Sequence, residues 1–337
     1  MFAKSIPGPK YSVLGFDCQD ASDKKAYGGV KVIAVADGHG SGDCFRSEIG
    51  AAIAVKTALS LTEKYVKGIF DMSPTEFNEA GSANFQSEIR FSEAGIAVFK
   101  HEIWKTWRDA VKKDWETRLE ESFELGEGEI RFAKVSDKYK ARYMDKKEAQ
   151  RYLYTAYGTT LLIAISLWSR LLVLQIGDGT CVVLRKDGEF CTPVPADKDN
   201  FLNVVVSLCE DGANLKFRHA CIDCKPDSPN SPAAVFLSTD GLDNCYPIYE
   251  NEQHLYRLYT VILDNILKEG FEPTEEEIAG DLLPSLTARG SKDDITLAYL
   301  VEDDLELLGK AYDFIEPCYK EEAEAGADDE TIRHLDD

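Results

Sequence analysis

The stretch Val32-Ile-Ala-Val-Ala-Asp-Gly-His-Gly-Ser-Gly-Asp43 decides how the rest of the chain is read. Five apolar residues run without a break into an acid, a glycine and a histidine, and then into a glycine-rich loop. A short continuous apolar run with β-branched residues predicts a buried strand. Such a strand holds Asp37 rigidly at its end, and the later glycines let the chain turn into the next helix.

Two further strand-like runs end in the same dipeptide: "RLLVLQIGDG" (170–179) at Asp178-Gly179 and "AAVFLSTDG" (233–241) at Asp240-Gly241. "SKDDIT" places Asp293 and Asp294 at the beginning of a strand, and "CQDAS" places Asp20 in a loop before the strand that leads to Asp37. Asp-Gly by itself is a turn pair. Carboxylates at several strand ends of one compact domain can, however, converge on one site, where they repel each other unless a cation is present. Hard oxygen ligands without a His or Cys cluster select Mg²⁺ or Mn²⁺ over zinc. Glycine beside the acid lets a backbone carbonyl approach the metal, since no side chain blocks it.

The charge balance agrees with a cation-dependent site. Of 337 residues, 38 are Lys or Arg and 60 are Asp or Glu, a net charge of -22. Such a surface repels nucleic acid and anionic lipid. A phosphate group can still bind if a local positive centre attracts it, and a metal ion is the obvious one. Nine cysteines are scattered along the chain, with Cys221-Ile-Asp-Cys224 the one close pair and no second pair at zinc-site spacing. They read as thiols of a reducing compartment. The start "MFAKSIPGPKYS" has no signal-peptide core, and the longest apolar run, Leu161 to Trp168, is too short to span a bilayer. The expectation is a soluble cytoplasmic monomer.

Further strands are expected at 29–38, 159–168, 181–190 and 294–301. The Asp187-Gly188 turn and "LWSRLLV" predict hairpins, hence antiparallel neighbours. Ile49 to Val66 reads as a helix, and Ile96, Phe99, Ile103, Trp107, Val111 and Trp115 form one apolar stripe on a second, long helix. Glu120 to Gln150 is charged and reads as a surface excursion. Another helix is expected over His254–Leu267, with Thr274 and Glu277 as a capping box after it. From Glu316 the chain is acidic and polar, which predicts a solvated tail. Strands at both ends, helices between, no repeat and no linker favour one α+β domain over residues 1–315 and a tail over 316–337, with packed sheets inside and helices outside.

At these residues the chain resembles the metal-dependent serine/threonine protein phosphatases of the protein phosphatase 2C type. The matching motifs are "CQDA" (18–21), "VADGHG" (35–40), "YGTTLL" (157–162), "QIGDGT" (175–180), "LSTDGLDN" (237–244) and "SKDDIT" (291–296), in the family's order. The "QD" and "GDG" forms look most like a bacterial branch. The resemblance implies an α-β-β-α sandwich of two antiparallel sheets with a two-metal centre at one end. It implies that Asp37 bridges two Mg²⁺ or Mn²⁺ ions, that Gly38 offers its carbonyl, and that Asp20, Asp240 and Asp293 complete the ligands. Asp294 then stands where Asn is usual, and Asp178 has a mainly structural role. The implied substrate is a phosphorylated protein, and the implied reaction is direct attack of a metal-bound hydroxide on phosphorus, without a covalent phosphoenzyme. His39 matches the histidine that protonates the leaving serine or threonine oxygen.

The chain departs from the family's pattern in a few places. Gly15 stands where many members have the arginine that holds the phosphate; Lys4, Lys10 and Arg46 are candidates to replace it. Gln19 replaces a common glutamate. Thr155 and Asn244 occupy positions where a third, weaker metal site has acids, which counts against a third ion. These departures motivate a second reading, a weakly catalytic relative that binds phosphoproteins in a regulatory role. The excursion at 120–150 lies where the family varies in a flap near the active site. No P-loop and no G-x-S-x-G elbow is present, and "HEIWK" (101–105) lacks the second histidine of a zinc protease.

Overall fold

The computed structural model describes residues 1–12, 17–40, 42–66, 91–125, 137–144, 146–167, 169–194, 205–225, 228–247, 249 and 251–324. Gly15 lies outside them.

Among the described residues, ten strands form two antiparallel five-stranded sheets. One has the order β1 (Phe2–Ile6), β10 (Ile295–Val301), β9 (Pro232–Ser238), β6 (Thr180–Arg185), β7 (Phe190–Cys191). The other has the order β2 (Ala21–Tyr27), β3 (Val30–Ala36), β4 (Leu161–Ser166), β5 (Arg170–Ile176), β8 (Arg218–Asp223). Both expected antiparallel pairings are present: β4 pairs with β5, where Leu167 N–H donates to the Arg170 carbonyl, and β6 pairs with β7 through Asp187-Gly188.

The sheets face each other through Ile33, Val35, Leu162, Val173, Val235 and Leu237. Their outer faces are also covered. Val32, Ala34, Ile163 and Leu174 pack under the helices Ser47–Val66 and Glu93–Leu125, while Val182, Phe236, Leu297 and Tyr299 pack under Asn251–Glu269. A central strand buried on both sides must be apolar at every position, which is why "VIAVA" has no alternation. The stripe from Ile96 to Trp115 is buried as expected, and Trp107 donates its indole N–H to the Gly50 carbonyl (3.0 Å). Gly50 admits a close crossing, since a Cβ there would stand 2.0 Å from the Tyr157 carbonyl oxygen.

Three expectations differ from what is seen. The excursion at 120–150 is partly docked rather than superficial: the helix Asp137–Met144 buries Tyr143, whose ring meets Phe45 edge-on at 4.8 Å. Thr274 is no N-cap; the helix already runs from Phe271 to Glu277, and the Thr274 hydroxyl donates back to the Gly270 carbonyl. Pro273 in the first turn lacks only an N–H that has no helical partner there, so the helix starts ahead of it. Finally, residues Pro317–Glu324, expected in a solvated tail, form a helix because Tyr319 packs edge-on against Phe190 and Tyr256. Among the described residues no helix is long and apolar enough to cross a membrane.

Candidate active site

The period of two along β3 sends Ile33 and Val35 between the sheets and Val32, Ala34 and Ala36 toward the helices. Continued one step past the strand, it puts Asp37 on the inter-sheet side. The backbone there is fixed on both flanks. Asp37 donates its N–H to Thr160 Oγ1 (2.9 Å), and its carbonyl accepts from the Thr160 N–H and the Thr159 hydroxyl (2.8 Å each). Gly38 N–H donates to the Gln19 carbonyl and His39 N–H to the Gly158 carbonyl (3.2 Å each). Gly38 runs through a gap with no room for a side chain, as a Cβ would lie 2.7 Å from the Gln19 carbonyl oxygen and 2.8 Å from that of Ser47.

The other acids arrive from distant segments. Asp20, buried, accepts from the hydroxyls of Thr239 (2.7 Å) and Thr296 (2.8 Å), which stand at the end of β9 and in β10. Asp294 accepts from the N–H groups of Gly8 (2.6 Å) and Gln19 (2.5 Å). Asp240 opens the short helix Asp240–Asp243 and accepts from Asn244 Nδ2 (3.0 Å). Gly241 is pressed onto the next turn: its Cβ would be 1.9 Å from the Asp294 carbonyl oxygen. Asp293 Oδ2 is 3.0 Å from Lys10 Nζ.

Together these segments enclose a cavity of about 230 Å³. All six residues singled out from the sequence line it: Asp20, Asp37, Gly38, His39, Asp240 and Asp293. Asp178 and Asp294 line it as well, and so do Lys10 and Gln19. The strand-terminal Asp-Gly pattern already pointed to Asp178. Gln19, named from the sequence only as replacing a common glutamate, has a buried amide that accepts from Ser47 Oγ (2.6 Å) and donates to the Asp17 carbonyl (2.6 Å), bracing the "CQDA" turn against the helix after His39.

So many carboxyls in one enclosure resist ionisation. Burial, then repulsion from Asp20 and Asp240, holds the Asp37 carboxyl well above the usual carboxylate range. Burial pushes Asp20 up to about 8, against the two hydroxyls that favour its charge, and pushes Asp178 up to about 6 with help from Asp240. His39 is moved the other way: burial lowers its pKa, while Glu210, Asp240 and Asp43 oppose the shift. The donor set, carboxylate and carbonyl oxygen in an electronegative cavity, suits a hard divalent cation. Among the described residues no three of these side chains already converge on one point as a finished ion site; Asp20, Asp240, Asp293 and Asp294 each hold a partner of their own.

The remaining candidates separate clearly. Arg46 is buried, ion-paired with Asp114 (2.5 Å) and stacked over Tyr157 (5.0 Å). Lys4 sits within β1 opposite Leu297 and does not line the cavity. Thr155 opens the 3₁₀ turn Thr155–Tyr157. Asp243, beside Asn244, does not line the cavity and accepts from Thr180 and Ser238; burial pushes it up to about 7.

A family model described as protein phosphatase 2C matches residues 8–282. A search of curated proteins finds no match. Among solved structures, the serine/threonine phosphatase Stp1 from Staphylococcus aureus aligns over 90% of this chain and 94% of its own, at 12% identity and a TM-score of 0.45. The S. agalactiae serine/threonine phosphatase aligns over 89% and 98%, at 16% identity and a TM-score of 0.42. A C. elegans sex determining protein aligns over 94% of this chain and 67% of its own, at 12% identity and a TM-score of 0.47.

Proposed function

The chain belongs to the protein phosphatase 2C family, and from that premise we propose that it is a divalent-metal-dependent phosphatase of phosphoserine and phosphothreonine in proteins. The observation that carries this reading is a cavity lined by six aspartates and His39. In it, Asp20, Asp37, Asp240, Asp293 and the Gly38 carbonyl would hold two Mg²⁺ or Mn²⁺ ions. When bound, such a pair supplies an activated water for attack on phosphorus and neutralises the phosphoryl oxygens.

The chain's own residues do the rest. Thr159, Thr160 and Gln19 fix the backbone on either side of Asp37, so the carboxylate and the neighbouring carbonyl keep their directions. Asp294 ties the "CQDA" turn to the 8–10 turn and so closes the cavity wall. His39 gives a proton to the departing serine or threonine oxygen, a poor leaving group otherwise. Burial lowers the pKa of His39, and Glu210, Asp240 and Asp43 oppose that lowering in the direction this role needs. The helix Asp137–Met144 meets the loop that follows His39, through Tyr143 Oη to the Asp43 carbonyl (2.9 Å) and Arg142 to Asp43 (3.5 Å). That contact supports the 120–150 segment as a source of substrate specificity.

Hydrolysis of p-nitrophenyl phosphate with Mn²⁺, lost with a chelator and lost in Asp37→Asn, is the expected result. Activity that survives both treatments overturns the proposal. The second reading, a weakly catalytic phosphoprotein-binding relative, draws on Thr155 and on Asn244, whose amide donates to Asp240 where an acid would repel it. Calorimetry separates the two, since a folded protein that binds no divalent ion at millimolar concentration favours the binding module.

A further inference from the structure

We propose that Lys10 supplies the side-chain positive charge that holds the substrate's phosphoryl group in this cavity, an assignment that rests on the phosphatase reading above. The cavity is lined by six aspartates, so a phosphoryl group entering it needs positive charge from the bound cations and from the wall. Among the described residues that line it, Lys10 is the one lysine or arginine.

Its placement is built into the backbone. Gly8 donates its N–H to Asp294 Oδ1 (2.6 Å), and Lys10 donates its own N–H to the Lys292 carbonyl (3.0 Å). Gly8 lies so close that a Cβ would be 2.3 Å from the Asp293 carbonyl carbon. Between these ties Pro9 fixes its own φ. The short turn Pro9–Ser12 is thus clamped against the segment that bears Asp293 and Asp294, and the Lys10 side chain reaches across to Asp293 Oδ2 at 3.0 Å.

The side chain can exchange Asp293 for another anion. It is 52% exposed, and an ion pair that wet is weak. A lysine ammonium is a compact charge on a flexible stem, so it can leave Asp293 for a phosphoryl oxygen without moving the turn. The other candidates cannot do this. Arg46 is held by Asp114 and Tyr157, Lys4 is directed from the middle of β1, and Arg218 donates to the Gly177 carbonyl behind Asp178 without reaching the cavity wall.

The test uses the full chain saturated with Mn²⁺ and compares wild type with Lys10→Met and Lys10→Arg. Inorganic phosphate binding is measured by calorimetry, together with KM and kcat for p-nitrophenyl phosphate and Mn²⁺ affinity. Lys10→Met is expected to weaken phosphate binding and raise KM by about tenfold or more, with Mn²⁺ affinity unchanged and most of the loss restored in Lys10→Arg. If Lys10→Met binds phosphate as wild type does, the assignment of Lys10 is overturned, while a wild type that still hydrolyses leaves the phosphatase reading intact. A variant that loses Mn²⁺ affinity but keeps phosphate affinity at saturating Mn²⁺ also overturns it, since Lys10 is then only a partner for Asp293. A wild type that neither hydrolyses nor binds Mn²⁺ overturns the phosphatase reading and this assignment together.

Discussion

Raising the pH of the chelated protein from 5 to 8 is expected to destabilise it, and a divalent cation is expected to reverse the loss. The cause is the set of buried acids: burial pushes Asp178 up to about 6, Asp243 to about 7 and Asp20 to about 8, from an ordinary 3.8. A carboxyl with a higher pKa in the folded state holds its proton more tightly there than in the unfolded chain. Its contribution is therefore fully present below the unfolded value and lost as pH rises through the folded one, a window from about 4 to about 8. Moving Asp178 alone from 3.8 to about 6 corresponds to on the order of 3 kcal/mol lost by pH 8. The acids share one field, so their separate losses do not add. His39 opposes the trend at the acid end only, because its lowered pKa makes folding less favourable as pH falls below its ordinary value.

A cation at one hundred times its Kd returns about 2.7 kcal/mol per site. At about 2 °C per kcal/mol for a domain of this size, the chelated protein should lose roughly 6 °C or more between pH 5 and 8, and Mg²⁺ or Mn²⁺ should restore several degrees at pH 8 but few at pH 5. Circular-dichroism melts in EDTA and in metal, at four pH values, read this directly. A chelated protein whose Tm is flat or rises from pH 5 to 8, or a metal effect equal at both ends, refutes the electrostatic account of the cavity.

Other perturbations test its parts. Asp178→Asn removes one buried, repelled acid and should stabilise the chelated protein at pH 8 by up to about 3 kcal/mol in urea titration, and by about half as much at pH 5; a loss of stability at pH 8 would contradict the repulsion. His39→Gln should lower kcat on a phosphopeptide by roughly 10²- to 10⁴-fold, with a smaller loss on p-nitrophenyl phosphate, whose leaving group needs no proton. Equal losses on the two substrates would remove His39 from the proton-donor role. Gly50→Ala drives a methyl into the Tyr157 carbonyl and should cost about 2 kcal/mol or more in chemical denaturation, while an unchanged midpoint would mean that the helix shifts freely there.

How much of this was legible in the sequence depends on where each element lies. The strands buried on both faces, β3, β4, β5, β6, β9 and β10, are mostly apolar and were read close to their positions, although the stretch 181–190 covers both β6 and the turn into β7. The edge strands were missed. Ala21–Tyr27 exposes Asp23, Lys24, Lys25 and Ala26, and Arg218–Asp223 has no fully buried residue, so neither shows the pattern of a covered strand. Acids at strand ends were legible because Asp-Gly marks the end of an apolar run. Lys10 was one of three candidates for holding the phosphate, and Gln19 and Asp294 were named without a structural role, because what places Lys10 and Asp294 is contact between the two ends of the chain.

That contact follows from one register. β1 and β10 pair from Phe2↔Tyr299 to Ile6↔Ile295, and continuing the same antiparallel register past Ile6 sets Gly8 opposite Asp293, where its backbone is indeed pressed. The register is held by packing, not by the site: Phe2 is buried and stacks on Tyr299 at 5.1 Å, and Phe236 closes over the same ring at 6.0 Å. A slip of one residue would turn Phe2 to the opposite face of the sheet and expose it. The apolar cost of that slip therefore determines where a charged side chain eight residues later stands. Lys10 reaches the cavity because an aromatic pair at the far end of the same strand allows one alignment of the chain's two ends.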